Sequence, residues 1–314
     1  MTPLRNKEMI QADIVGLETL LASASDDPLA TPLAQSRIAE LREELGKFGE
    51  SQSLVPETEL FFGQGPVMGS RGIEAKFAGQ VLDRFQDMVT NQFAAKFHGV
   101  LRRAGRRKGE SDSKLFLTAL PRGSFGLQLS QPHIQDFVTA GQLAVAMEDI
   151  TDLVGAAGAD DKSFENFLSS VHGRVIIPLK GFLQTLTNSG ADCRIISGMK
   201  QAVLKKEQVA QAYQRVAAVK TDEVPLELDG VFFGALVKTG RFDFEPQGLE
   251  IINGWLADEV TEEQAIAMDQ LTGKPARAKM RVTTITTKTG KRRPTYELQS
   301  LDSLPNNLAA APAK

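Results

Sequence analysis

Between Leu226 and Leu301 the chain alternates short apolar or β-branched runs with glycine turns, a spacing that few folds accommodate. Leu226 to Lys238, Arg241 to Glu245 and Leu249 to Leu256 each read as a strand, with turns at Thr239-Gly240 and Gln247-Gly248. Thr261-Glu262-Glu263-Gln264 has the signature of a helix start, because threonine caps free N–H groups and acids suit the positive end of the helix. That helix is expected to end near Gly273. Ala276 to Thr287 and Pro294 to Leu301 follow as two more strands around a turn at Gly290. Three strands, a short helix and two strands predict a small five-stranded β-barrel. It is OB-like, or SH3-like if a 3₁₀ turn replaces the helix.

The rest of the chain reads as a helical hairpin and a mixed body. Ile10, Ile14, Leu17 and Leu21 fall on one helical stripe, and Ala34, Ile38, Leu41, Leu45 and Phe48 fall on another. Ser25-Asp26-Asp27-Pro28 separates the two. The product is an antiparallel hairpin, over residues 1–50, whose stripes need a surface: the body, a second copy or a protein partner. Residues 55–220 form a central α+β domain. In it, Leu60-Phe61-Phe62 is a strand, Ser70 caps a long helix with Ile73, Phe77, Val81, Phe85, Met88 or Val89, and Phe93 on one face, and residues 115–118 and 125–129 are paired strands. Helical periodicity recurs over 134–154, 162–171, 175–187 and 201–219, with a short strand at Cys193 to Ile196. The barrel occupies 225–304 and a loose tail 305–314. The expected class is therefore α+β in three parts.

Charge is concentrated. From Lys274 to Arg293 there are eight basic residues and no acid, and from Arg102 to Lys108 there are five and again no acid. With those thirteen cations set aside, a net charge of −3 becomes −16. An acidic protein with two confined basic segments differs physically from one with evenly mixed charge. Strand alternation puts Ala276, Ala278, Met280 and Val282 on one face of their strand and Arg277, Lys279 and Arg281 on the other. If the apolar row lines the barrel, the cations stand outside, roughly 6–7 Å apart. Such an array attracts a phosphate backbone, and binding releases condensed counterions. Lys291, Arg292 and Arg293 extend it, and Arg102, Arg103, Arg106 and Arg107 form an auxiliary basic loop.

Other chemistry finds little support. A single cysteine, Cys193, excludes an internal disulfide and a multi-cysteine metal site. The three histidines stand 35 and 39 residues apart, without metal-ligand spacing. The glycine-rich stretch Gly63 to Gly72 leads from a strand to a helix, as phosphate loops do, but lacks the dinucleotide and Gly-Lys-Ser/Thr fingerprints. Ser124 sits on a turn between strands rather than on a nucleophile elbow. No catalytic residue, cofactor or metal is expected, nor a membrane-spanning segment, and the reducing cytoplasm is the expected location. The leading expectation is a non-enzymatic protein that binds nucleic-acid backbone. The alternatives are a scaffold or regulatory subunit using the N-terminal hairpin, then a hydrolase or nucleotide-binding protein using the Gly63 to Gly72 loop.

Overall fold

The computed structural model describes residues 2–23, 30–46, 55–98, 110–121, 125–134, 136–168, 173–236, 240–257, 259–288 and 290–305. They form a mixed α+β protein with a five-stranded sheet, a closed five-stranded barrel and two N-terminal helices. No helix among the described residues is long and apolar enough to cross a membrane.

Helices α1 (Pro3–Ser23) and α2 (Ala30–Gly46) pack on each other. Ile10, Ile14, Ile38 and Leu41 are buried in their seam, flanked by Leu17, Leu21 and Leu45. Each helix supplies much of the other's apolar surface, and the start of α1 also docks on the body, one of the three surfaces expected, where Leu4 N–H donates to the Gly198 carbonyl.

The central sheet is antiparallel throughout, in the order β2-β3-β1-β4-β5. Its strands are β1 (Glu57–Gly63), β2 (Phe116–Ala119), β3 (Phe125–Ser130), β4 (Asp192–Ser197) and β5 (Lys200–Leu204). One face, carrying Leu60, Phe62, Leu127, Leu129, Cys193, Ile195, Ala202 and Leu204, shares a core with α3 (Ala75–Phe93), α4 (Phe137–Ala159), α6 (Ile176–Ser189) and α7 (Lys206–Ala217). The i, i+4 stripe Phe77, Val81, Phe85, Val89 and Phe93 is fully buried, as its spacing predicts. Phe62 and Phe77 meet edge to face at 5.3 Å. Each such ring contributes roughly 1.5–3 kcal/mol by leaving water. Gly158 of α4 lets the helix lie close on the sheet, because a Cβ there would come within 2.7 Å of Leu204.

Three local expectations change. Residues 201–204 are the strand β5 and not the start of a helix. Gly198, at φ +56°, closes a two-residue turn between Ser197 and Lys200, and Ala202 and Leu204 then alternate into the core. The cap of α3 is Glu74, which makes no side-chain capping bond, and Ser70 lies upstream in a loop. That loop folds back on itself through a Val67–Ile73 bridge, with Met68 N–H donating to the Gly72 carbonyl at 2.9 Å. After α3 the helix continues as a π-turn over Ala94–His98.

The barrel closes in the order β10-β8-β7-β6-β9. Its strands are β6 (Lys220–Leu236), β7 (Arg241–Pro246), β8 (Ile252–Leu256), β9 (Pro275–Thr286) and β10 (Arg292–Ser303). All pairings are antiparallel except β8 with β10. Helix α8 (Glu262–Asp269) stands between the third and fourth of these strands. Thr261 and Gln264 form the capping box read from the sequence, with Gln264 N–H donating to Thr261 Oγ1 at 3.2 Å and Thr261 N–H to Gln264 Oε1 at 2.8 Å. Phe232, Phe242, Phe244, Met280 and Leu298 fill the barrel, with Ala265 and Met268 of α8 against them. β6 begins at Lys220, six residues before the strand start expected at Leu226, and follows α7 almost directly. The first residues of β6, the end of β9 and the start of β10 thus extend past the barrel as a three-stranded ribbon. Ile285 of this ribbon packs at Gly173, in a 3₁₀ turn (Gly173–Val175) before α6, and joins barrel to body.

Candidate nucleic-acid interface

Strand β9 presents its side chains as alternation requires. Ala276, Ala278 and Met280 are buried in the barrel, and Arg277, Lys279 and Arg281 face outward. The outward row does not stand free. Arg277 donates from Nε to Asp229 Oδ1 at 2.6 Å and from Nη2 to Asp229 Oδ2 at 2.8 Å. Lys279 Nζ lies 3.2 Å from Asp302 Oδ2. Arg281 reaches Glu297 Oε2 at 2.9 Å and Glu259 Oε1 at 2.8 Å.

Register explains the Arg277–Asp229 and Arg281–Glu297 pairs, whereas Asp302 of β10 stands opposite Arg277 and reaches Lys279 diagonally. Asp229 of β6 stands opposite Arg277, Glu227 opposite Lys279 and Glu297 of β10 opposite Arg281. Opposite charges facing each other across a ladder attract, and here both flanking strands supply acids. The Arg277 guanidinium holds the Asp229 carboxyl below the usual carboxylate range, mainly through the hydrogen bond itself. Accessibility falls along the row. The side chains of Arg277 and Lys279 keep 45% and 44% of their exposure, whereas Arg281 keeps 12%. Arg281 is half-buried at the junction with the body, where Arg174 lies 3.6 Å from the other oxygen of Glu297.

The far end of the same basic segment is different. Lys288, Lys291 and Arg292 are exposed and Arg293 is half-buried, and among the described residues none of the four makes an ion pair. Lys220 joins them, since the register Lys220–Thr286–Arg292 sets both cations on one face of the ribbon. Lys220 is also exposed and without an ion pair among the described residues. Arg293 is in register with Ile285 and so belongs to the opposite face, toward the body; its Nε is buried without a hydrogen-bond partner. Lys288 borders a shallow cleft with Asp161 and Glu165, where Asp161 is already held by Arg215.

Sequence reasoning missed the acids that neutralise Arg277, Lys279 and Arg281. Part of the signal was present, because Glu227 and Asp229 alternate with Leu226 and Leu228 and therefore face outward with the cations. It also missed Lys220, which becomes relevant only when β6 extends upstream.

The other candidates either lie outside the described residues or are placed elsewhere. Arg102, Arg103, Arg106 and Arg107 lie outside the described residues, as do Ser124 and His172. His133 packs edge to face on Phe116 at 5.1 Å. Arg71, the one cation of the Gly63 to Gly72 stretch, is exposed in the self-closed loop four residues before α3 begins. Burial pushes the Cys193 thiol up to about 12, which leaves it protonated and unreactive at neutral pH. A hydroxyl cluster, Thr58–Ser197 and Thr151–Ser197 both at 2.7 Å, is sealed between α4 and the sheet with its bonds satisfied internally. Among the described residues no group of three His, Cys, Asp or Glu could hold a metal ion.

Comparison with protein-family models, with curated proteins and with solved structures gives no match for this chain.

Proposed function

We propose that this chain binds nucleic-acid backbone without base reading, and that the ribbon end around the β9–β10 turn is the contact. One observation carries the reading. Lys220, Lys288, Lys291 and Arg292 are exposed and make no ion pair among the described residues, whereas the neighbouring row Arg277, Lys279 and Arg281 is paired. In an otherwise acidic protein, four unneutralised cations at one edge are the place where a polyanion meets attraction first. The ring order, with its third and fifth strands parallel and a helix between the third and fourth, supports an OB-like reading of the barrel. In OB folds the turn between the fourth and fifth strands is one of the loops that meet oligonucleotides. That turn here is Thr287 to Lys291.

Arg277 and Lys279 are secondary contacts in this reading, since a phosphate must compete with Asp229 and Asp302 for them. Arg281 is structural. The test is titration of a fluorescent oligonucleotide, single-stranded and duplex, at several salt concentrations. The expected result is binding that weakens linearly in log–log form as salt rises, with little difference between base sequences. Absence of binding to either form at about 50 mM salt overturns the reading.

A further inference from the structure

We propose that the α1–α2 hairpin is a releasable arm, latched to the outer face of the central sheet by the first two turns of α1. The arm has a core of its own, because the cluster of Ile10, Ile14, Ile38 and Leu41 is separate from the cores of the body and the barrel. Its packing does not depend on being docked.

The latch is mostly polar. Arg194 Nη2 of β4 donates to both oxygens of Glu8, at 2.5 and 2.7 Å. Leu4 N–H donates to the Gly198 carbonyl at 3.2 Å. The Arg5 guanidinium lies over the Phe61 ring at 4.6 Å and 3.6 Å from Glu59 Oε2, the oxygen to which Thr2 Oγ1 donates at 3.3 Å. Glu59 is the decisive group. Its side chain is wholly buried and its second oxygen, Oε1, has no hydrogen-bond partner. A desolvated carboxylate with one oxygen unsatisfied opposes docking, because release returns it to water. Release also exposes Phe61 and its neighbour Ile196 on the same outer face, and that favours docking. The two effects oppose one another, and salt weakens the ionic contacts. The seat therefore holds the arm without fixing it, and an open arm uncovers a strip of sheet with Phe61 and Ile196 at its centre and Glu59 and Arg194 beside them.

The test uses the full chain with spin labels at Arg37→Cys on α2 and Lys206→Cys on α7, both exposed sites; native Cys193 is buried and stays unlabelled. Pulsed EPR then reads the distance from arm to body. One distance is expected at about 0.1 M salt, with a second, longer one growing about tenfold in population by about 1 M salt. Arg5→Glu and Glu8→Gln, which reverse or remove the charges the latch uses at Glu59 and Arg194, are each expected to bring out the longer distance at low salt. A body-only pair, Lys76→Cys with Lys206→Cys, is expected to keep one distance throughout. A single unchanged arm distance in the wild-type chain across the salt series, or in both variants, overturns the proposal.

Discussion

The two halves of the basic segment from Lys274 to Arg293 have similar composition and opposite electrostatic character. The first half runs inside the barrel wall, between β6 and β10, and both neighbours present acids in register: Asp229 to Arg277, Glu297 to Arg281. The second half turns beyond the barrel edge, where the matching residues of β6 are Lys220 and Thr221. A run of cations in a sequence therefore says how much charge is present. Strand register says how much of it reaches solvent. About five residues of β9 separate Arg281 from Thr286, roughly 17 Å at strand spacing, and across that length the row passes from neutralised to open.

The comparison is most easily broken at Glu297. Its side chain and that of Arg281 keep 11% and 12% of their exposure, and Arg174 faces the same carboxylate. Glu297→Ala leaves two guanidiniums crowded at the junction and is expected to cost about 3–5 kcal/mol in urea unfolding. A loss below about 1 kcal/mol would mean that the junction is not the buried ionic contact described. A smaller effect sharpens the contrast from the other side. Asp229→Asn combined with Asp302→Asn frees Arg277 and Lys279, and oligonucleotide affinity at low salt is expected to rise about tenfold, with a steeper salt slope. Unchanged affinity would show that the row cannot be reached by the ligand at all.

Removing one exposed pair matters less. Arg277→Gln is expected to lower stability only slightly, because its side chain keeps nearly half its exposure and the pair is screened by water. The pH dependence has a definite sign. Asp229 titrates below its ordinary value when folded, so the pair contributes above the unfolded carboxylate pKa and its contribution disappears as pH falls through the lower folded value. The stability gap between wild type and Arg277→Gln is expected to close in strong acid.

Glu148 in α4 gives the opposite and smallest case. Burial raises its pKa against the pull of Lys200, so its contribution is favourable at low pH and lost as pH rises through the raised value. Glu148→Gln is expected to stabilise the protein by a few tenths of a kcal/mol at neutral pH, with no gain below the carboxylate range. A thermal melt series over pH checks both signs.

Much of this was legible in the amino-acid order, for reasons that are local. Phe77, Val81, Phe85, Val89 and Phe93 repeat every four residues, and that repeat needs no knowledge of what lies opposite. The same holds for Ala276, Ala278 and Met280, and for Thr261 with Gln264. What was not legible depends on partners distant in sequence. Asp302 meets Lys279 across 23 positions and Glu59 meets Arg5 across 54, and neither separation leaves a periodic trace. β5 was misread because Lys200 to Leu204 adjoins a strongly helical stretch, and one glycine at Gly198 decides the boundary. The hairpin was read correctly as helices, but its seat was missed because Thr2, Arg5 and Glu8 are polar residues of a kind normally left in water.

The most direct test of the central claim sets two triple variants side by side against one oligonucleotide across a salt series. In Lys288→Gln/Lys291→Gln/Arg292→Gln the account predicts an affinity loss of about a hundredfold or more at low salt, with the log–log salt slope shallower by about two to three. In Arg277→Gln/Lys279→Gln/Arg281→Gln it predicts a slope close to wild type. Equal slopes for wild type and the first variant, or a larger change in the second, would contradict it.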